Sequence, residues 1–321
     1  MTKNNSKYSH HTKGVILVNF GSPDDLSYFS IRRFLKNLLL DQRVVSLPRI
    51  IWLPILYGFI LSFRPLGLIK SYKAIWLNGK SPLAYYQDSL LKKLSIKNVE
   101  FESAMIYSKP SLEEAWERLK AKGIRDVVII PMYPQYCSAT TGSVFDAWNL
   151  VMKKEKFIPA MRFLQSYHDH PLYITGLVNS IKTHWKHKGK GDHLIFSYHG
   201  IPKQQFDLGD PYYCYCHKTT RLVAECLKIP EKDYSMSFQS RFGKQVWLKP
   251  YLNEHIKEIS SLGCKKIDVL MPGFSMDCIE TLYEVGVEYQ EEASDLGCKL
   301  RLIPCLNDSE DAAKLYTALV K

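Results

Sequence analysis

The chain lacks the sequence motifs of several common enzyme classes. It contains no GxxxxGK(S/T), GxGxxG or GxSxG sequence. Because the first two motifs bind nucleotide phosphates and the third positions an acyl-transfer serine, neither chemistry has support here. The chain also lacks a basic helix, a zinc-finger pattern and the mixed aromatic and basic signature of nucleic-acid binding. We therefore expect no nucleic-acid partner.

A secretion signal and a disulfide framework are also missing. Residues 1–13, MTKNNSKYSHHTK, are polar throughout and have no apolar core. We expect them to form a disordered tail and the protein to be cytoplasmic. The eight cysteines are irregularly spaced in 321 residues, which favours reduced thiols.

Acidic residues are fewer than basic ones. The chain has 32 Asp and Glu against 43 Lys and Arg, a formal charge of +11. Such an excess favours an anionic partner. Anionic lipid and a carboxylated small molecule both fit, and charge alone does not choose between them.

The longest apolar run is too short to cross a bilayer. Residues 50–63, IIWLPILYGFILSF, lie between Arg49 and Arg64, whereas a spanning helix needs about 20 residues. Two interpretations remain, a core helix or an exposed apolar lip that enters the lipid interface. Trp52, Tyr57 and the flanking arginines favour the lip. We therefore expect peripheral association with an anionic membrane, the inner membrane of the cell.

Short apolar strands alternate with helical stretches along the whole chain. The predicted strands are residues 15–20, 102–107, 126–133, 161–167, 193–199, 233–239, 267–271 and 299–304. Such alternation is typical of α/β proteins with parallel sheets that helices cover on both faces.

Two sequence echoes indicate an internal duplication. VILVNFGSP at residues 15–23 resembles HLIFSYHGIP at residues 193–202, and DVVIIPMYP resembles DVLMPGF. We predict two Rossmann-like lobes whose parallel sheets face each other across a cleft. The N-terminal lobe would comprise residues 14–148 and 306–321, and the C-terminal lobe residues 149–305.

The stretch at residues 268–289 predicts a buried strand, a Pro-Gly turn and a helix bearing Glu280, Glu284 and Glu288. Four-residue spacing stacks these glutamates about 6 Å apart on one face. One interpretation is a solvated face; the other is a cation route, because strand ends in open α/β sheets bind ligands. Gly286 weakens a helix by about 1 kcal/mol, so we predict an irregular helix with a π-bulge there.

Two further features could carry chemistry. His199 ends an apolar strand at a Gly-x-Pro turn, where its imidazole could accept a proton, bind a metal or serve only the structure. Cys214 and Cys216 form a CYCH sequence, but Cys226 stands alone and no second pair follows. That leaves a metal or iron–sulfur site and a plain loop before a helix at residues 219–227 as alternatives.

Several long motifs together resemble one enzyme family. They are PMYPQYCSATTGS, FSYHGIPK, GDPYYCYCHKT, FQSRFGKQVWLKPY and MPGFSMDCIETLYE. In this order they resemble ferrochelatases, which insert ferrous iron into protoporphyrin IX, and most of all the proteobacterial branch. The resemblance extends from Val15 to about Pro304 and implies two Rossmann-like lobes around a porphyrin cleft, the chelatase-like fold.

The resemblance also implies roles for individual residues. His199 and Glu280 match the family's metal-site and catalytic pair, and Glu284 and Glu288 match its metal and proton conduit. The positions that match the porphyrin-binding residues are Phe20, Arg64, Tyr72, Ser81, Tyr133, Trp247 and Phe274. The implied substrates are protoporphyrin IX and Fe2+, with no required cofactor, and the implied pathway is haem biosynthesis. Handover of porphyrin from the preceding haem-pathway oxidase is a further expectation.

Three departures from the family pattern matter. Cys278 stands where some relatives have histidine, and Ile106 stands where many have arginine. No run of cysteines follows Cys305, so we expect no 2Fe-2S cluster, although Cys214, Cys216 and Cys226 leave an internal one open. Alternative functions are a chelatase for coproporphyrin or cobalt, and a non-catalytic porphyrin- or haem-binding protein.

Overall fold

The computed structural model describes residues 12–243 and 245–321. The tail predicted at residues 1–13 lies outside these residues except for Thr12 and Lys13, and Lys13 already opens the first strand. Two parallel sheets of four strands form the framework. The strands are β1 (Lys13–Asn19), β2 (Val99–Met105), β3 (Asp126–Pro131), β4 (Ala160–Phe163), β5 (His193–His199), β6 (Tyr234–Gln239), β7 (Lys266–Leu270) and β8 (Lys299–Leu302).

Helices connect the strands and cover the sheets. They are α1 (Tyr28–Leu39), α2 (Arg49–Ile55), α3 (Leu61–Ile75), α4 (Pro82–Lys93), α5 (Leu112–Ala121), α6 (Ser143–Met152), α7 (Pro171–Lys188), α8 (Lys203–Asp207), α9 (Tyr212–Leu227), α10 (Leu252–Ser261), α11 (Gln290–Asp295) and α12 (Glu310–Leu319). Three π-helical segments are π1 (Leu56–Ile60), π2 (Ser138–Gly142) and π3 (Glu280–Tyr289).

The two sheets have equivalent strand orders. The first is β2-β1-β3-β4 and the second is β6-β5-β7-β8, with every neighbouring pair parallel. Thus β1 corresponds to β5 and β3 to β7, the two pairs of strands that the sequence echoes matched. The predicted α/β fold with two parallel sheets is confirmed.

Strand β4 lies beyond the predicted lobe boundary. Residues 149–305 are predicted to form the C-terminal lobe, but β4 pairs with β3 at the edge of the first sheet. The first sheet therefore extends past the predicted boundary, to residue 163. The C-terminal helix α12, assigned to the N-terminal lobe, packs against both α7 and α4.

The lobes share one hydrophobic core. It contains Val15 and Val128 from the first sheet together with Leu194 and Phe196 from the second, all almost fully buried. Burial of apolar side chains from both sheets in a single cluster holds the lobes in a fixed relation. The strand ends that carry the candidate site are held by the same packing.

The predicted apolar lip forms part of a longer helical segment. α2, π1 and α3 follow one another without a break from Arg49 to Ile75, a segment that we call the lip segment. Within the described residues it is the one helix long and apolar enough to cross a membrane by length and composition. Pro65 cannot donate a backbone hydrogen bond to the carbonyl of Leu61, and the Tyr28 hydroxyl donates to that oxygen instead, at 3.0 Å.

The lip segment has a buried and an exposed apolar face. Trp52, Leu56 and Leu61 are buried in a cluster that also receives Leu282 and Tyr283 of π3. On the other face, large apolar side chains are open to solvent: Ile50 (85% exposed), Ile51, Ile55, Tyr57, Phe59 (68%), Phe63 (60%) and Leu66. The core-helix interpretation of residues 50–63 therefore describes the buried face of the lip segment, and the interpretation as an apolar lip describes the exposed face.

Candidate active site

His199 lies at the carboxyl end of β5 with a defined tautomer. Its Nδ1 is 2.7 Å from the carbonyl oxygen of Gly200. Because a carbonyl can only accept, Nδ1 carries the proton in the neutral ring, and Nε2 keeps a free lone pair. The Tyr212 hydroxyl donates to the backbone carbonyl of His199 at 3.0 Å. The half-buried ring is thus ready to accept a proton at Nε2.

Close packing fixes the turn after His199. The Gly200 amide donates to the carbonyl of Gln239 at 2.8 Å. A Cβ at Gly200 would lie 3.0 Å from that same carbonyl and 3.1 Å from the Trp247 ring. Only glycine fits this space without displacing the backbone. Trp247 therefore lies directly beside the His199 turn, on the wall predicted to bind porphyrin.

Glu280 begins π3 and meets residues from the opposite lobe. Burial raises the pKa of the Cys278 thiol well above its ordinary value, and a hydrogen bond to the Glu280 carboxylate raises it further. Burial also raises the pKa of Tyr72, with Glu280 adding to the effect. The pKa of Tyr133 is raised first by burial and then by Tyr107, Cys278 and Glu280. Residues predicted for catalysis and for porphyrin binding therefore lie close together.

Glu284 connects the two predicted catalytic residues. Burial raises the pKa of its carboxyl group, and the negative charge of Glu280 acts in the same direction. A hydrogen bond from Ser240 and the positive charge of protonated His199 lower the pKa. Since both His199 and Glu280 act on this carboxyl group, the three side chains form one electrostatic unit.

The outer end of the glutamate ladder, Glu280–Glu284–Glu288, reaches solvent. Glu288 is exposed, and its carboxyl pKa is raised by partial burial and by the charges of Glu291 and Glu292. The predicted irregularity is confirmed, because the segment from Glu280 to Tyr289 is π-helical. Three carboxylates thus lead from the half-buried Glu280 to the surface.

Gly286 has a packing role within π3. A Cβ there would lie 2.7 Å from Cδ1 of Leu302, the last residue of β8. The glycine therefore lets π3 approach the second sheet closely. Close approach holds the glutamate ladder against the strand ends.

Aromatic side chains line the region between the lobes. Phe20, which follows β1, packs edge-on against Tyr107 at 4.9 Å between ring centroids. Phe274 packs against a small buried cluster of Leu83, Met105 and Cys278. The hydroxyl of Tyr133 and Nε1 of Trp247 are buried without a hydrogen-bond partner. Buried unpaired donors are costly, so these two groups are available to a ligand.

Arg64 and Ser81 differ in their freedom to bind a ligand. The exposed Arg64 guanidinium lies 5.4 Å from the ring centroid of Phe242, in the loop after β6. Ser81 is buried, caps α4 by accepting from the Ala84 amide, and shares a 2.5 Å hydrogen bond with Ser22. The hydroxyl of Ser81 is therefore already used by the fold, and its contact with porphyrin stays a prediction.

Comparison with known proteins identifies the family. The ferrochelatase family model matches residues 12–321. The chain belongs to the ferrochelatase family. It is 42% identical to the ferrochelatase of Vibrio parahaemolyticus over 311 residues, which cover 96% of this chain and 97% of that one. The ferrochelatase of Aeromonas hydrophila is 41% identical over 314 residues, with the same coverage.

Solved structures show the same fold at much lower identity. SirB from Bacillus subtilis with Fe3+ superposes with a TM-score of 0.56 at 12% identity, covering 96% of this chain and 94% of that one. CbiX, described as the terminal enzyme of siroheme biosynthesis in denitrifying bacteria, gives a TM-score of 0.52 at 12% identity, covering 96% and 97%. At such identities the likeness concerns the chelatase fold alone.

The cysteine motif is helical rather than a loop. Cys214, Cys216 and Cys226 all lie on α9, which begins seven residues before the predicted helix at residues 219–227. With a rise of 1.5 Å per residue, Cys226 is roughly 18 Å from Cys214 along the axis. The three thiols therefore cannot ligate one cluster together. Within residues 12–243 and 245–321, no group of three or more His, Cys, Asp or Glu residues is arranged to hold a metal ion.

Sequence reasoning missed two residues that contact the glutamate ladder. The Ser240 hydroxyl donates to Oε2 of Glu284 at 2.6 Å, and Nε2 of Gln239 donates to the carbonyl of Glu280 at 2.9 Å. Both belong to the FQSRFGKQVWLKPY motif, in which Trp247 is the residue that the resemblance assigns to porphyrin binding. Ile106, where many relatives have arginine, is half-buried and packs on the core of the N-terminal lobe.

Proposed function

We propose that His199 removes pyrrole protons while this ferrochelatase inserts ferrous iron into protoporphyrin IX. The observation that carries this assignment is the Nδ1 hydrogen bond to Gly200, which leaves Nε2 of His199 as a free proton acceptor at the end of β5. A positioned base of this kind typically contributes about 10²- to 10⁴-fold to a rate. The product is protohaem.

The reaction exchanges two protons for one metal ion. Two pyrrole N–H bonds break, four Fe–N bonds form and two protons leave, with no change in oxidation state. Nε2 of His199 accepts a proton from the macrocycle. Glu280 and Glu284 lie within electrostatic reach of one another, so the ladder can carry protons outward to the exposed Glu288 or lead Fe2+ inward.

The cleft walls would hold the macrocycle bent. Iron cannot enter a flat porphyrin whose centre is filled by two N–H groups, and bending exposes the nitrogen lone pairs. The side chains proposed to hold it are Phe20, Tyr133, Trp247 and Phe274, with Tyr72, Arg64 and Ser81 on the side of the lip segment. Binding energy from such walls can supply about 1–5 kcal/mol of substrate distortion.

The direct test is spectroscopic. Purified protein is mixed anaerobically with protoporphyrin IX and ferrous iron, and conversion of the porphyrin spectrum to that of haem is followed. We expect catalytic turnover, faster with protoporphyrin than with coproporphyrin and with Fe2+ than with Co2+. Tight porphyrin binding without metal insertion would contradict the proposal.

We also propose that the lip segment contacts an anionic membrane surface. The support is its exposed apolar face, which includes Phe59 and Phe63, together with Arg49 at its start and the overall charge of +11. The protein would then lie on the cytoplasmic face of the inner membrane. A lip at that surface would suit receipt of a lipophilic porphyrin from the preceding oxidase of the pathway.

Vesicle flotation tests the membrane contact. We expect the wild type to float with anionic vesicles, and Phe59→Ser with Phe63→Ser to float much less. Leu208 (81% exposed) and Leu262 (73%) are apolar residues outside the lip segment that are at least as exposed as Phe59 and Phe63, so Leu208→Ser with Leu262→Ser is the matched control. Equal flotation of the two double variants would refute a specific role of the lip.

A further inference from the structure

The residue after β6 has an unusual backbone conformation. Ser240 has a φ of +64°, in the left-handed backbone region that residues other than glycine rarely adopt. Such a conformation costs energy and persists only where the surrounding structure holds it. Here it places the Ser240 hydroxyl 2.6 Å from Oε2 of Glu284, to which it donates. Hydrogen bonds to a carboxylate are among the stronger ones in proteins.

Gln239, the residue before Ser240, holds π3 at a second point. Gln239 is only 1% exposed, and its Oε1 accepts from the Ser197 hydroxyl at 2.8 Å. This bond turns Nε2 toward π3, where it lies 2.9 Å from the carbonyl of Glu280 and 3.5 Å from Oε2 of Glu284. A flipped amide would present an oxygen to those acceptors, so its orientation is fixed.

Gln239 also supports the turn that carries the proposed base. Its backbone carbonyl accepts from the Gly200 amide at 2.8 Å, and it is the parallel partner of His199 across the two strands. One short segment thus contacts both the His199 turn and the glutamate ladder. Among the described residues, Gln239 and Ser240 are the side chains that donate hydrogen bonds to the Glu284 carboxylate.

We propose that Gln239 and Ser240 are positioning residues that hold the Glu284 carboxylate between His199 and Glu280, in the geometry that admits the metal ion. The inference rests on the proposed iron insertion and concerns the metal rather than the porphyrin. Without the Ser240 hydroxyl, the carboxylate loses its short hydrogen bond and rotates. The affinity for the incoming metal then falls, while the aromatic walls that hold the porphyrin stay unchanged.

The test separates the hydroxyl from the backbone strain. Ser240→Ala removes the hydroxyl and keeps the strained conformation, whereas Ser240→Gly removes both. We expect the KM for Fe2+ to rise roughly tenfold in both variants, as loss of a hydrogen bond to a charged group would give. The KM for porphyrin and kcat should stay within about twofold. Gln239→Met, which removes the amide contacts, should also raise the KM for Fe2+.

Lys228→Gly is the matched control. Lys228 follows α9 with φ of +55°, so glycine relieves the same kind of strain away from the ladder, and the KM for Fe2+ should not change. An unchanged KM for Fe2+ in Ser240→Gly would overturn the inference. A rise in the KM for porphyrin instead would assign Ser240 to porphyrin binding and overturn it too. Wild-type protein that inserts no iron would refute the proposed function itself.

Discussion

Substitution of Gly286 by alanine probes the contact between π3 and the second sheet. The new Cβ would lie 2.7 Å from Cδ1 of Leu302 and 3.5 Å from the carbonyl oxygen of Thr281. Leu302 has to move, and overpacking of this kind typically costs about 1–3 kcal/mol. Alanine in place of glycine gains about 1 kcal/mol of helix propensity. We therefore expect a net loss of about 1 kcal/mol in the free energy of unfolding.

Gly58 provides a matched control in another π-helical segment. It lies in π1, and nothing lies within 4 Å of a Cβ built there. Gly58→Ala should therefore keep the propensity gain of about 0.5–1 kcal/mol without the packing cost. Urea unfolding of both variants measures the difference, which we expect to be about 2 kcal/mol. Equal shifts in the two variants would refute the packing role of Gly286.

Three further predictions concern other features of the fold. Because the folded-state pKa of Glu284 is raised above 4.5, its ionisation destabilises the fold as pH rises through that folded pKa. In urea unfolding, Glu284→Gln should therefore gain stability relative to the wild type from pH 4 to pH 7. A stability difference that stays constant over this pH range would contradict the prediction. Cys214 and Cys226 are exposed whereas Cys278 is buried with a raised pKa, so a thiol reagent at pH 8 should modify the first two rapidly and Cys278 only after unfolding. Tyr28→Phe should lower the free energy of unfolding by about 1 kcal/mol in urea, because the Leu61 carbonyl, to which Pro65 cannot donate, then loses the Tyr28 hydroxyl as its donor.

The local features of the fold were readable from the sequence. The strands and the irregular helix at Gly286 both depend on neighbouring residues along the chain. Local propensity and hydrophobic periodicity report such features directly. The prediction of two similar lobes followed from the echoes between β1 and β5 and between β3 and β7, and the structure adds that the two sheets have equivalent strand orders.

The long-range features were not readable. A strand is predicted at residues 161–167, where the structure has β4 (Ala160–Phe163), but the sheet that it joins depends on pairing with β3, which leaves no local pattern. Likewise, Ser240 contacts Glu284 across 44 residues, and its left-handed backbone has no signature in a serine. Tertiary contacts decide such details.

The candidate site also has a part that was predictable from the sequence and a part that only the structure reveals. His199 and Glu280 came from motif resemblance, and the electrostatic link of each to Glu284 was visible only in the structure. For Ser81, the family resemblance implied a porphyrin contact but did not reveal that its hydroxyl is used to cap α4.

Anaerobic iron insertion by His199→Ala and Glu280→Gln tests the central claim most directly. We expect each variant to remain folded and to bind porphyrin, but to lose at least about 100-fold in kcat, since each removes a group that exchanges protons or metal with the substrate. His217 and Glu225 are exposed residues on α9, so His217→Ala and Glu225→Gln are the matched controls and should turn over normally. Near-normal turnover by either His199→Ala or Glu280→Gln would contradict the role assigned to that residue.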